Sequence, residues 1–156
     1  MLTHPYHGTC VALRGRCVLL RGEPGSGKSD LALRFLDAYT DAWLVADDQV
    51  RLKSDGDTLF ASVPDVLKGL LEVRGLGLIR RAVPAMAGLT PLVLIVDLVT
   101  RDGLPRIAEP RFEALQGIEL PVIPLAPFEH SAPQKLALAL ETIGITGFPG
   151  DDGVLV

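Results

Sequence analysis

Gly22-Glu23-Pro24-Gly25-Ser26-Gly27-Lys28-Ser29 satisfies the spacing G-x-x-x-x-G-K-[ST], and the remaining chain is read outward from it. Glycines let successive backbone N–H groups curl around phosphate oxygens with no Cβ in the way. Lys28 supplies a point charge for the β- and γ-phosphates of a nucleotide, and the Ser29 hydroxyl is a hard oxygen suited to Mg²⁺. The flanks agree with this chemistry. Cys17-Val-Leu-Leu20 has the length and apolar content of a buried strand. Ser29 to Ala38 reads as a helix, with Leu31, Phe35 and Ala38 on one face and Ala32 and Leu36 beside it. Strand, glycine loop and helix place a helix N-terminus at the bound anion. The stretch therefore predicts a nucleotide-binding α/β domain.

Composition bounds the other possibilities. A chain of 156 residues suits one domain, residues 1–156, with a core of its own and a short mobile tail from about 147 to 156. A net charge of −4 argues against a general nucleic-acid binder, which carries a basic face. The longest apolar run, Leu92-Val-Leu-Ile-Val96, is too short to span a bilayer, and the N-terminal stretch lacks the pattern of a secretion signal. Cys10 and Cys17 have no partnering Cys or His cluster and read as buried, reduced thiols of a cytoplasmic protein.

Working outward, Thr9 to Leu13 alternates as a strand, and Gly15-Arg16 makes a tight turn into the strand before the glycine loop. After the helix, Trp43-Leu-Val-Ala46 is a second apolar strand that ends at Asp47-Asp48. A strand, a crossover helix and a second strand form a parallel unit whose strands end at one sheet edge. Asp47 and Asp48 are thereby expected beside Lys28 and Ser29, one able to hold Mg²⁺ and one to take a proton, with a solvated turn as the plain alternative. Val50–Lys53 and Thr58–Ala61 read as strands about a turn, and Pro64–Leu71 as a short turn or helix. In Leu71-Glu72-Val73-Arg74-Gly75-Leu76-Gly77, an extended backbone would put Glu72 and Arg74 on one side, for metal and phosphate or as a surface ion pair. Pro91–Leu98 is expected as a central strand and Pro121–Pro127 as a sheet edge. Ser131 to Gln134 reads as a capping box for a helix from Lys135 to Ile143 that Gly144 ends.

His7-Gly8 before two strands, the loop Gly22–Ser29, Ala46-Asp47-Asp48 and Leu71–Gly77 occur in an order that resembles the catalytic domain of bacterial HPr kinase/phosphorylase. The resemblance covers roughly residues 7–80, and the Leu-Glu-Val-Arg-Gly-Leu-Gly stretch is its specific part. It implies a mixed β-sheet flanked by helices, of the HPr kinase/PEP carboxykinase-like type. It also implies ATP and Mg²⁺ as cofactors, an HPr-like phosphocarrier as substrate, and a homo-oligomer, a hexamer in the family. By the same resemblance Asp48 is the base of phosphorylation and the acid of its reversal, with Asp47 as supporting neighbour and metal ligand. His7 matches an active-site histidine, Glu72 a second magnesium ligand beside Ser29, and Arg106 a catalytic arginine.

Two departures qualify this resemblance. Only six residues precede His7-Gly8, as in short members that lack an N-terminal domain. Pro124-Leu-Ala-Pro-Phe-Glu-His-Ser131 stands where the family carries a basic loop tied to phosphorolysis, so a kinase with weak phosphorolysis is expected. His130 would then assist only when protonated, below about pH 6.5. The competing readings are a P-loop kinase for a small molecule and a nucleotide-sensing module without turnover. A guanine-reading Asn-Lys-x-Asp element is excluded, because the sequence contains no asparagine.

Overall fold

The computed structural model describes residues 5–84 and 89–156. The alternating stretches become strands: β1 (Tyr6–His7), β2 (Thr9–Leu13), β3 (Arg16–Arg21), β4 (Ala42–Ala46), β5 (Gln49–Asp55) and β6 (Thr58–Ser62). A hairpin of β7 (Leu70–Val73) and β8 (Gly77–Arg80) follows, then β9 (Thr90–Leu98), β10 (Phe112–Leu115) and β11 (Ile118–Leu125). The helices are α1 (Lys28–Ala38), α2 (Ala132–Glu141) and the one-turn α3 (Ile143–Thr146).

The main sheet is mixed, with the order β1-β5-β6-β9-β3-β2-β4, and β11 joins β9 while carrying β10. β3 and β9 run parallel, whereas β2 is antiparallel to both β3 and β4. The expected co-directional pair is therefore present with one difference: β2 lies between β3 and β4. Their C-terminal ends still reach the same edge, because two reversals restore direction. β7 and β8 form a separate two-stranded sheet.

The central strands are apolar through their interiors because both faces of the sheet are covered, with Thr9, Arg16, Arg21, Thr90 and Asp97 at or next to their ends. Val11, Leu13, Val18, Leu20, Leu94 and Val96 face Leu31, Phe35 and Leu36 of α1 and Leu136 and Leu140 of α2. The alternate set, Cys10, Ala12, Cys17, Leu19 and Ile95, packs against Val50, Leu52, Leu59, Leu120 and Val122. Among the described residues, no helix contributes to that second cluster. The helices thus cover one face, and the sheet curls over its own other face instead of being flanked on both. Burial pushes the Cys17 thiol pKa up, reinforced by neighbouring Cys10, and both cysteines are free and buried as expected.

Three local expectations change. β11 is not a simple edge: residues 118–121 pair with β10 and residues 122–125 with β9. Pro121 sits where the strand exchanges one partner for the other, and Pro124 lies within the part paired with β9. Ser131 makes no side-chain cap, and α2 begins at Ala132 with Pro133 in its first turn, where a missing N–H costs nothing. Gly144 does not end that helix but sits inside α3, close against Val93, and Gly147, with φ of 90°, makes the stop.

At the C-terminal ends of β3 and β9 an ionic clamp replaces apolar packing. Arg21 donates from Nε to Asp97 Oδ1 at 2.8 Å and from Nη2 to Asp97 Oδ2 at 3.1 Å, while Nη1 reaches Glu113 Oε2 at 2.6 Å and Tyr6 Oη at 3.1 Å. Four strands, β1, β3, β9 and β10, are tied through one guanidinium. Burial alone would lower the Arg21 pKa, but its hydrogen bonds to Asp97, Glu113 and Tyr6 outweigh this and leave it raised. The hydrogen bond from Arg21 holds the Glu113 carboxyl below its ordinary value against a desolvation that would raise it. A depressed carboxyl contributes stability above its unfolded pKa, about 4.3, and loses it as pH falls through the folded value. Arg21→Met should lower the unfolding free energy at pH 7 by about 1.5–3 kcal/mol, the range for hydrogen bonds to charged groups. Urea titrations should show the deficit shrinking as pH falls below the ordinary carboxyl value and through the lower folded value of Glu113. A deficit independent of pH would assign the loss to packing.

Candidate active site

The glycine loop joins β3 to α1 and depends on backbone freedom at two points. Gly25 and Gly27 have φ of 82° and 104°, values that a side chain rarely tolerates. Gly27 is also crowded: a Cβ there would lie 3.0 Å from two ring carbons of Phe128. The Lys28 ammonium donates to the carbonyls of Gly22 at 2.6 Å and Glu23 at 3.2 Å, which holds it across the loop. Ser26 N–H donates to Glu23 O at 2.9 Å and closes the turn.

Asp47 gathers the separate motifs. Its Oδ1 accepts the Ser29 hydroxyl at 2.8 Å and the Thr9 hydroxyl at 3.0 Å, and its Oδ2 accepts the Glu72 N–H at 3.1 Å. One carboxylate therefore joins the glycine loop, β2 and the β7–β8 hairpin. Asp48 is different. Its side chain is exposed, makes no hydrogen bond to a described residue, and sits on a backbone with φ of 69°. That left-handed conformation is held by Gly8 N–H on Asp48 O at 3.0 Å and by the pairing of β1 with β5. Gly8 is required by close approach, since a Cβ would lie 2.7 Å from Leu19 Cδ1 and 2.8 Å from Leu20 O.

Thr9, Lys28, Ser29, Asp47, Asp48 and Glu72 share one open cavity of about 500 Å³ with Arg74 and Phe128. Of the expected site residues, the structure brings Gly25, Gly27, Lys28, Ser29, Asp47, Asp48, Glu72 and Pro24 together there. Gly22, Glu23 and Ser26 complete the loop behind it. Glu72 and Arg74 form no ion pair; the strand stops at Val73, so Arg74 falls in the hairpin turn and the strict alternation ends. His7 is exposed on β1 opposite Gln49, next to the site in the sheet but outside the cavity lining. Arg106 is exposed in the segment between β9 and β10 and lines no part of the cavity. Glu129 and His130 line a neighbouring cavity, and Glu129 pairs with Lys135 at 3.2 Å. The expected place of carboxylate and imidazole against the phosphates is thus corrected: from that segment Pro127 and Phe128 pack against Gly27, and of the residues 124–131 Phe128 lines the cavity.

Sequence reasoning missed Thr9 and Phe128. Thr9 is fully buried in an otherwise apolar strand, and only the register of β2 against β4 reveals its partner. Phe128 is 70% exposed, an aromatic in a proline-rich stretch with no periodicity to mark it.

The family profile described as HPr Serine kinase C-terminal domain matches residues 2–102. The chain belongs to that family. Relatives of the HPr serine kinase family named HPr kinase/phosphorylase include one from Geobacillus thermodenitrificans, 36% identical over 142 residues, covering 83% of this chain and 45% of that protein. One from Variovorax paradoxus is 41% identical over 105 residues, 64% of this chain and 32% of the relative. The chain thus spans less than half the length of these curated relatives. The solved structure of the Hpr(Ser) kinase/phosphatase from Coxiella burnetii aligns with a TM-score of 0.71 at 28% identity, covering 86% of this chain and 93% of that one. This likeness bears out the HPr kinase-like fold. Arg106 and the Pro124–Ser131 segment lie beyond the matched profile.

The donor set fits Mg²⁺. Ser29 Oγ and the carboxylates of Asp47, Asp48 and Glu72 are hard oxygens on one cavity. Among the described residues, no three His, Cys, Asp or Glu side chains converge closely enough to hold a metal alone. That suits an ion which keeps several waters and takes the rest of its shell from phosphates.

The two aspartates should separate in stability. Asp47→Ala strands the buried Thr9 hydroxyl and the Ser29 and Glu72 donors, and should cost about 1–3 kcal/mol. Asp48→Asn keeps a residue that tolerates positive φ and should stay within about 0.5 kcal/mol of the parent. Thermal unfolding of both variants is the check; equal losses would mean that Asp47 does not organise the site.

Proposed function

We propose that this chain is an ATP- and Mg²⁺-dependent protein serine kinase acting on an HPr-like phosphocarrier, with weak phosphorolysis. The observation that carries the reading is the division of labour between adjacent carboxylates. Asp47 is consumed in organising the loop serine, while Asp48 is free beside the phosphate loop. The loop N–H groups and Lys28 hold the nucleotide phosphates. Mg²⁺, for which Ser29, Asp47 and Glu72 are the candidate ligands, supplies charge neutralisation on the phosphate oxygens. Asp48 takes the proton of the acceptor hydroxyl as its oxygen bonds to the γ-phosphorus and the bond to ADP breaks; in reverse it returns that proton. His7, opposite Gln49 in the sheet and one residue before the Gly8 that donates to Asp48 O, and Arg106 enter this reading only through the family resemblance.

A protein acceptor is favoured over a metabolite by the β7–β8 hairpin. Beside Glu72 and Arg74 it exposes Leu76 and Leu78 at 82% and 70%, an apolar rim that suits another protein's surface. A homo-hexamer and a cytoplasmic location belong to the same proposal, as does the lack of a nucleic-acid or membrane partner. Among the described residues no helix is long and apolar enough to cross a membrane.

Lys28→Ala should keep its fold and lose the thermal shift that ATP–Mg²⁺ confers on the parent. Asp48→Asn should keep that shift and lose transfer from labelled ATP to the carrier serine by about 10²- to 10⁴-fold, the worth of a positioned base. Nucleotide binding without transfer to any phosphocarrier in the parent protein would favour the sensing module.

Phosphorolysis needs inorganic phosphate held beside a phosphoserine, and close anions repel strongly unless fixed cations face them. The cationic side chains lining the cavity are Lys28 and Arg74, and the 124–131 segment adds only a phenyl ring. Pyrophosphate release from serine-phosphorylated carrier and millimolar phosphate should therefore be much slower than the forward reaction at pH 7. Because His130 lies outside this cavity, His130→Ala should leave that ratio unchanged between pH 6 and 8. A rate equal to the forward one would overturn the assignment of direction.

A further inference from the structure

Phe128 is unexplained by phosphate chemistry. Its ring is 70% exposed, yet it sits against Gly27, where the glycine loop becomes α1. The ring also divides two cavities. On one side lies the phosphate-loop cavity; on the other lies a cavity of about 440 Å³ lined by Asp37, His130 and Gln134 among others. Asp30 and Phe128 are common to both.

The ring is not a loose side chain on a mobile loop. Arg34 donates to the carbonyls of Pro127 and, at 3.5 Å, of Glu129, the residues immediately before and after Phe128. Asp30 Oδ2 accepts from Arg34 Nε at 3.0 Å and fixes the guanidinium in turn. Pro127 is buried, and Ala132 N–H closes the turn onto Glu129 O at 3.1 Å. An aromatic ring whose backbone is pinned on both flanks loses little freedom on binding a planar group.

Polarity along the phosphate-loop cavity says which planar group. On the proposed reading the γ-phosphoryl lies toward Asp47, Asp48, Glu72 and Arg74, which line this cavity and no part of the second one. Loop N–H groups cradle the α- and β-phosphates, and Lys28 reaches the β/γ pair. The nucleoside of a nucleotide so seated leaves from the opposite end, where Asp30 and Phe128 open onto the second cavity. There the carboxylate of Asp37 and the amide of Gln134 make no hydrogen bond to a described residue, and an amide can both give to and accept from a purine edge.

We propose that Phe128 is the stacking platform for the base of the bound nucleotide, and that the neighbouring cavity receives a purine ring. This rests on the phosphate-loop reading above and adds to it the residue that distinguishes a nucleotide from a bare polyphosphate. Base–aromatic stacking is worth about 1–3 kcal/mol per base, or roughly 5- to 150-fold in affinity.

The test is calorimetric titration of the full chain with the Mg²⁺ complexes of ATP, GTP, CTP and inorganic tripolyphosphate. The parent protein should bind the purine nucleotides more tightly than CTP or tripolyphosphate. Phe128→Ala should weaken ATP by about 5- to 150-fold and leave tripolyphosphate unchanged, while Phe128→Trp should restore ATP binding. If Phe128→Ala binds ATP as the parent does, the base goes elsewhere and this inference falls while the phosphate-loop reading stands. Should the same variant lose ATP and tripolyphosphate equally, Phe128 merely shapes the loop at Gly27, and the inference again falls. Failure of the parent to bind either ligand would remove the phosphate-loop reading itself.

Discussion

The Asp47 carboxylate is the constraint on which the site depends. Three elements distant in the chain, β2, the start of α1 and the β7–β8 hairpin, each direct one donor at it. Two of those donors are hydroxyls and one is a backbone N–H, so the geometry is set partly by side chains and partly by the course of the hairpin. A carboxylate with three such partners is restrained in position and rotation. Its neighbour inherits a backbone that no longer has freedom to adjust, and Asp48 is accordingly held at positive φ with its side chain free. Adjacent residues of one type thus differ in surroundings, one held by three hydrogen bonds and one exposed on the cavity without any to a described residue.

A second polar assembly supports the same sheet edge from behind. Arg21 precedes the glycine loop directly and is clamped by Asp97 and Glu113. The register of β3 against β9 places Arg21 opposite Asp97, so strand pairing and ion pairing enforce one another. Partly buried ion pairs contribute to stability only when geometry compensates their desolvation. The two-point contact of Arg21 with Asp97 meets that condition. The origin of the glycine loop is thereby anchored to the central strand, not left to the flexibility of its own glycines.

Much of this was legible in the residues. The loop Gly22–Ser29 and helix α1 could be read from local pattern, because glycine conformations and a helical apolar face are properties of neighbouring residues. The apolar runs of β3, β4 and β9 announced buried strands for the same reason. Less legible were features that depend on which strand lies beside which. The insertion of β2 between β3 and β4, the partner exchange along β11, and the cover of one sheet face by the sheet itself all arise from long-range pairing. Ser131 and Gln134 had the composition of a capping box without its geometry, since Pro133 at the helix start and the docking of Ala132 already determine how α2 begins.

The sequence by itself determined the glycine loop between strand and helix, the kind of fold around it and the family, because these reside in short-range spacing and in motifs whose order survives as text. Tertiary structure alone decided what each charged residue faces. Spacing put Glu72 and Arg74 on one side, for metal and phosphate or as an ion pair, yet the strand ends at Val73 and the two form no ion pair. Glu129 and His130 stood level with the phosphates by position in the chain, yet the turn that Arg34 pins rotates them into a separate cavity and leaves Phe128 at the loop. Side-chain direction depends on the backbone turns between motifs and on the surfaces against which those turns pack, and neither is written in the residues that carry the chemistry.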